Sequence, residues 1–317
     1  MSCVRTILGD VPSIDLGPCY AHEHIVIESS YVTEKNADFL LDDVGLISAE
    51  VAAFYQAGGR AMVDSMPCGG GRSAPKLAAV SRATGVHIVC PTGLHLQKYY
   101  PQGHWAEKAS DSAIAKVFID EIESGIDAND TRGPYWETTN LRAGLIKVAS
   151  SLNQVTNFEK KVFAAAAAAH HATGSPILTH TEQGTAGLEQ IRIFQSFGVK
   201  PDCLVLSHTD RKPDVSYHKE LLSTGVYLEY DSAFRWKPGD GNPTRDLLIA
   251  LCDAGFASRI VVGMDAARRT YWRSFGGSPG LTFLLETFFP QMRRDGFPPE
   301  FIELILVQNP ARAYARF

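Results

Sequence analysis

The sequence predicts a closed parallel (β/α)8 barrel, and three observations predict it. Eight short apolar runs alternate with helical stretches along the chain, the pattern of repeated βα units. No hydrophilic linker separates them. The 317 residues exceed the about 250 typical of such barrels, which reach this length by loop insertion without adding a domain. One barrel domain over residues 1–317 is therefore expected, in preference to a doubly wound sheet.

The runs at 19–27, 61–65, 87–92, 144–149, 176–180, 204–208, 226–231 and 260–265 are the expected strands. Stretches at 46–57, 76–84, 114–122, 158–173, 187–197 and 244–254 read as helices between them, and helices at 281–292 and 299–307 follow. A short β-rich or turn segment at 4–16, broken at Gly9-Asp10, precedes the first barrel strand. Three βα connections are long: 94–110 after strand three, 232–242 after strand seven and 266–280 after strand eight. Loops of this kind lie above the C-terminal strand ends, where catalytic groups converge. Gly69-Gly70-Gly71 reads as a turn rather than a phosphate cradle, because no G-x-x-x-x-G-K-S/T pattern follows.

Hydrophobic residues make up 45% and charged ones 21%, as in globular chains with a full core. Thirty Lys and Arg against thirty-five Asp and Glu give a net charge of −5 without a long block of one sign. That balance argues against nucleic acid or a membrane as partner. The chain meets Asp10 and Pro12 before any signal-like apolar stretch, and its longest apolar run, 162–169, falls far short of the about 20 residues that span a bilayer. A cytoplasmic protein is the expectation. The cysteines at 3, 19, 68, 90, 203 and 252 lack C-x-x-C spacing and read as reduced core thiols.

His22-Glu23-His24 is an H-x-H on an expected strand, where period-two geometry points both imidazoles to one face and Glu23 to the other. Two neighbouring imidazoles at a strand end suit a divalent metal. His180, His208 and Asp265 each end another strand run, at the same level of a barrel. Lys147 lies inside the apolar run Gly144-Leu145-Ile146-Lys147-Val148-Ala149, where an unpaired charge is costly. It needs a partner or a modification. A desolvated lysine of depressed pKa can take up carbon dioxide, and the carbamate bridges two cations. The alternative is a salt bridge to Asp265 or Glu229. Asp210, two residues beyond His208, is a candidate to orient that imidazole.

These motifs, with Leu16-Gly17, Gly71-Arg72, Ser81-Arg82-Ala83-Thr84-Gly85, Thr179-His180-Thr181, Ser207-His208-Thr209-Asp210 and Asn309-Pro310-Ala311-Arg312, resemble the phosphotriesterase family of the amidohydrolase superfamily over nearly the whole chain. The resemblance implies a barrel hydrolase with two divalent metal ions per subunit. It places His22, His24 and Asp265 on one metal and His180 and His208 on the other. Carboxylated Lys147, formed with CO2, and a hydroxide would bridge them. Zinc is the first expectation, with Mn, Co, Ni and Fe also suited to such ligands. The hydroxide would be the nucleophile, and Asp265 would carry its proton to the leaving group. The family also implies a homodimer.

Organophosphate-degrading members carry a histidine after the strand-seven aspartate, whereas Ser232 follows Asp231 here, which lowers the expectation of triesterase activity. His95 stands where many relatives have a tyrosine that touches substrate. Arg235, Lys237, Arg268, Arg269 and Arg273 concentrate cations on loops seven and eight, beside Tyr99, Tyr100, Tyr271 and Trp272. On a chain of net negative charge this points to a small anionic substrate. The stretch from Arg268 to Gly280 resembles the loop of relatives that open phosphorylated sugar lactones. Substrate contacts are thus expected from His95, Tyr99, Arg235, Lys237, Arg268, Arg269 and Tyr271. Hydrolysis of an anionic lactone or ester leads; an amidase for N-acyl amino acids or sulfonates, a phosphotriesterase and a non-catalytic binder follow.

Overall fold

The computed structural model describes residues 2–130, 137–237, 239 and 241–316, so positions 238 and 240 of the expected loop 232–242 lie outside the described residues. A hairpin of β1 (Cys3–Thr6) and β2 (Gly9–Pro12) opens the chain, and β12 (Ala315–Arg316) pairs antiparallel with β1. Between them run β3 (Cys19–Glu23), β4 (Ala61–Asp64), β5 (His87–Val89), β6 (Pro91–Gly93), β7 (Leu145–Ser150), β8 (Ile177–Thr181), β9 (Leu204–Ser207), β10 (Tyr227–Tyr230) and β11 (Ile260–Val262).

Every expected strand is present, and each pairs in parallel with its sequence neighbour. The third is split at Cys90: β5 pairs with β4, and β6 with β7. Pro91, which has no N–H to give a ladder, stands at the break. Past β11, the Met264 and Asp265 N–H groups donate to the His22 carbonyl at 3.2 and 3.0 Å, and this joins the last strand to the first. The result is an α/β barrel.

Side chains alternate along the strands. Leu145, Leu178, Val205, Tyr227 and Val261 fill the barrel interior with Val4, Cys19, Ala21 and Tyr314, whereas Ile146, Ile177, Leu206 and Leu228 pack outward against the helices. Lys147, His180 and Glu229 stand two residues after interior-facing positions and share their face. β3 departs from this rule. Strict alternation from Cys19 and Ala21 would put Glu23 inside, but the register with β4 shifts between Tyr20 and Glu23. A bulge of this kind re-aims the side chains beyond it, and it turns His22 and His24 to the interior.

The six inter-strand helices expected from the sequence form, as Val44–Gln56, Ala74–Thr84, Asp111–Glu123, Asn157–Thr173, Gly187–Ser196 and Pro243–Asp253. A further helix, Val215–Ser223, lies between β9 and β10; it is short, and its apolar face is brief enough to pass for a loop. Both terminal helices contain a π turn, at Leu284–Phe288 and Leu304–Gln308. Pro290 and Pro310 follow these turns; each lacks an N–H and crowds the carbonyl four residues back, and the wider turn accommodates that. Among the described residues no helix is long and apolar enough to cross a membrane.

The loops over the strand ends are tied down. Lys161 donates to the carbonyls of Ala106, Glu107 and Ala109 and fixes the loop after β6. Asp38 accepts from Thr270 N–H and Oγ1, and Glu50 from Ser274 and Leu281, so the loop after β11 rests on the loop after β3 and on the helix Val44–Gln56 that follows it. The Gly69–Gly71 turn cradles a carboxylate of the chain itself: Asp130 accepts from the N–H groups of Gly69, Gly71 and Arg72.

The joint between β11 and β3 has no room for a side chain. A Cβ on Gly263 would stand 2.6 Å from the His22 carbonyl oxygen and 2.7 Å from its nitrogen. Gly263→Ala is expected to lower stability by about 1–3 kcal/mol, read from urea unfolding; an unchanged midpoint would refute the account of the joint.

Candidate metal centre

At the C-terminal ends of the strands lies a cavity of about 240 Å³, lined by His22, His24, Lys147, His180, His208 and Asp265 among others. The structure thus brings together all six residues singled out as ligands. His22 Nε2 and His24 Nε2 lie 3.8 and 3.2 Å from Asp265 Oδ1. Ligand atoms of these three lie within 4.8 Å of one another, a group that could hold a metal ion. The His180 and His208 rings are 4.5 Å apart across the cavity, and His208 is 4.6 Å from His22.

Three imidazoles have a carboxyl group behind them. His22 Nδ1 lies 3.2 Å from Glu229 Oε2, and His180 Nε2 lies 2.7 Å from Glu182 Oε2. His208 Nδ1 bonds Asp231 Oδ2. One ring nitrogen is occupied in each case, so Nε2 of His22, Nδ1 of His180 and Nε2 of His208 remain for another partner. Burial, chiefly, lowers the pKa of all three, for His208 to about 3, so these rings are neutral. Neutral imidazoles with one nitrogen fixed by a carboxyl group are the usual setting of metal-binding histidines.

Burial works against ionisation of Asp265, yet its hydrogen bond to His24 and the charges of Arg235 and Arg211 outweigh that effect and hold its carboxyl well below the usual range. Lys147 is fully enclosed, and its Nζ has no hydrogen-bond partner among the described residues. Burial pushes its pKa down to about 8 against the pull of Glu229, Asp265 and Asp231. The salt bridge to Asp265 or Glu229 that the sequence allowed does not form.

Sequence reading missed much of the layer behind the ligands. Arg211 joins Asp231 and Asp265, at 3.0 and 2.6 Å. Glu182 follows His180 by two residues, and that spacing was the one signal available. Asp210 does not touch His208; it accepts from Ser232 N–H and Thr244 Oγ1, and Asp231 takes the position expected of it. His208 and Asp265 both adopt positive φ, 63° and 48°, a strained setting that surrounding contacts must enforce.

Of the residues expected to touch substrate, His95, Tyr99, Arg235, Arg268 and Tyr271 line the cavity. The lining does not include Lys237 or Arg269. Lys237 is exposed, and Arg269 turns away to Asp42 at 3.0 Å and to the Leu40 carbonyl, so it ties two loops together. Arg273 likewise faces Glu286, 3.7 Å away. Ile27, Val32, Phe39 and Met66 supply an apolar part of the lining.

The phosphotriesterase family model matches residues 2–314. A phospho-furanose lactonase of Mycoplasmopsis synoviae is 32% identical, over 98% of this chain and 91% of its own. The phosphotriesterase homology protein of Escherichia coli is 33% identical, over 94% of this chain and 98% of its own. A lactonase from Listeria monocytogenes superposes with a TM-score of 0.90 at 30% identity, covering 99% of both chains. With the cavity built from the residue types such an enzyme needs, the chain belongs to the phosphotriesterase family and is a metal-dependent hydrolase.

Proposed function

We propose that the chain opens a small anionic lactone, or a related carboxylic ester, at a two-cation centre. His22, His24 and Asp265 would hold one cation, His180 and His208 the other, and carboxylated Lys147 would bridge them. The observation that carries this reading is Lys147 itself: a buried, unpartnered Nζ beside neutral imidazoles and an ionised aspartate. A carbamate there would turn an uncompensated amine into an anion with two donor oxygens. The chemistry of the donor set, imidazole and carboxylate, fits Zn, Mn, Co, Ni or Fe.

Two divalent cations would lower the pKa of a shared water and polarise the scissile carbonyl. The protein's own groups do the rest. Asp265, ionised and facing His24, would take the proton of the attacking water and pass it to the leaving oxygen. Arg268 and Tyr271 lie on the rim for the substrate's anionic group. Arg268 reaches Asp38 only at 3.5 Å, a tie loose enough for an anion to displace. Relatives named phospho-furanose lactonases support a sugar-lactone-like substrate.

Protein purified with bicarbonate is expected to carry about two metals per chain and to turn over a lactone panel in preference to N-acyl amino acids and phosphotriesters. Lys147→Ala is expected to lose both metal and turnover. Metal-free protein, inert on every panel after reconstitution, would sink the proposal. Carbamate formation needs the neutral amine, and Lys147 is poised at about 8. Below that pH the ammonium predominates and cannot react; above it the free amine does. Metal reconstitution in bicarbonate should therefore accelerate as pH rises through about 8, followed by metal content against time. Arg268→Ala should raise KM for an anionic lactone about tenfold or more, the scale of a charged hydrogen bond. Its kcat, and KM for a neutral lactone of the same ring, should hold.

A further inference from the structure

Asp265 has two oxygens with opposite surroundings. Oδ1 faces His24 and His22. Oδ2 is gripped by two guanidinium groups, Arg211 Nη2 at 2.6 Å and Arg235 Nη2 at 3.0 Å. Arg235 also holds the Asp265 carbonyl and stacks over Tyr271, and so belongs to the loop after β11 as much as to its own. Arg211 makes a different connection. The same Nη2 donates to Asp231 Oδ1 at 3.0 Å, and Asp231 Oδ2 is the partner of His208. Both hydrogens of that nitrogen are therefore engaged, one toward each half of the centre.

We propose that Arg211 is a positioning residue that holds the two halves of the metal centre in one geometry. It pins Asp265 through Oδ2, which leaves Oδ1 alone for a cation, and pins His208 through Asp231. The chain of contacts runs His208, Asp231, Arg211, Asp265, His24, from one ligand set to the other. The inference rests on the ligand assignment proposed above.

The backbone under Arg211 is built to hold it. Thr209–Arg211 form a single 3-10 turn, and buried His218 bonds the carbonyl of its first residue, Thr209, at 3.0 Å and that of the residue after it, Lys212, at 2.9 Å. Tyr230 Oη bonds the other nitrogen of His218 at 2.5 Å. The turn that presents the guanidinium is thus fixed from outside the cavity by groups that do not line it. Arg211 lines the cavity with 21% of its side chain exposed, but its Nη2 is already taken up by Asp231 and Asp265. A lysine would keep the charge on a stem one atom shorter and without the planar fork.

The test uses Arg211→Lys and Arg211→Ala of the metal-loaded enzyme. In both, kcat should fall about 10- to 100-fold, the usual cost of losing a group that orients metal ligands. KM should stay within about threefold, and metal should leave faster into a chelator. Guanidinium chloride at tens of millimolar should restore part of the Arg211→Ala turnover, which an equal concentration of sodium chloride should not. In metal-free Arg211→Ala protein the same guanidinium should raise the melting temperature, since it fills the gap between Asp231 and Asp265. Should the alanine variant fail to fold, Arg211→Lys carries the kinetic and chelator readings. Parental kcat and metal retention in Arg211→Lys would overturn the proposal. So would a loss confined to KM, which would place Arg211 on the substrate. If the parent itself binds no metal, the ligand assignment fails on its own, while guanidinium-dependent melting of the metal-free variant still reports the bridge between the two aspartates.

Discussion

The approach of the β11 end to β3 governs the whole centre. His22 gives its carbonyl to Met264 and Asp265, and Gly263 leaves the space for that contact. Glu23, turned out of the interior by the register shift in β3, accepts from the N–H groups of Met264 and Ala266 and so holds Asp265 on both flanks. One short stretch of backbone thereby closes the barrel and sets three candidate ligands against one another. The positive φ of Asp265 follows from the same contacts: with its neighbours gripped by Glu23 and its carbonyl by Arg235, a strained conformation of about 1–3 kcal/mol is over-determined.

Around this joint the charges are sorted by depth. Carboxyl groups stand behind the imidazoles, neutral imidazoles and a lysine of lowered pKa face the cavity, and guanidinium groups close the upper side. Nearly every loop cation is matched: Arg211 and Arg235 by Asp265, Arg269 by Asp42, Arg268 loosely by Asp38. A group of acids in one place needs such pairing, because each buried carboxylate left alone would cost several kcal/mol. The rim is therefore less cationic than its sequence suggests, and of the arginines lining the cavity Arg268 is held least firmly.

How far the sequence disclosed this depended on the kind of signal. Strand alternation and the strand-end positions of His22, His24, His180, His208 and Asp265 are local, and a local pattern survives in a linear string. Arg211, Glu182 and the pairing of Asp231 with His208 are contacts between strands or along a turn. No periodicity encodes them, and Asp210, nearer in sequence, was the wrong neighbour to choose for His208. Arg269 failed for a related reason: a cation on a loop above a cavity can turn inward or bind the next loop, and only Asp42 decides which. The helix Val215–Ser223 was too short for its pattern to register, and the π turns before Pro290 and Pro310 are responses of the backbone that composition does not announce.

The carboxylate of Asp130 in the Gly69–Gly71 turn has a consequence for anions in solution. Consecutive backbone N–H groups make a nest that would otherwise attract a phosphate or a carboxylate. Asp130 is tethered to the same chain, and a tethered group competes at an effective concentration in the millimolar range or above, with no translational freedom left to lose. A free anion entering the cavity therefore finds the N–H groups of that turn already taken by Asp130.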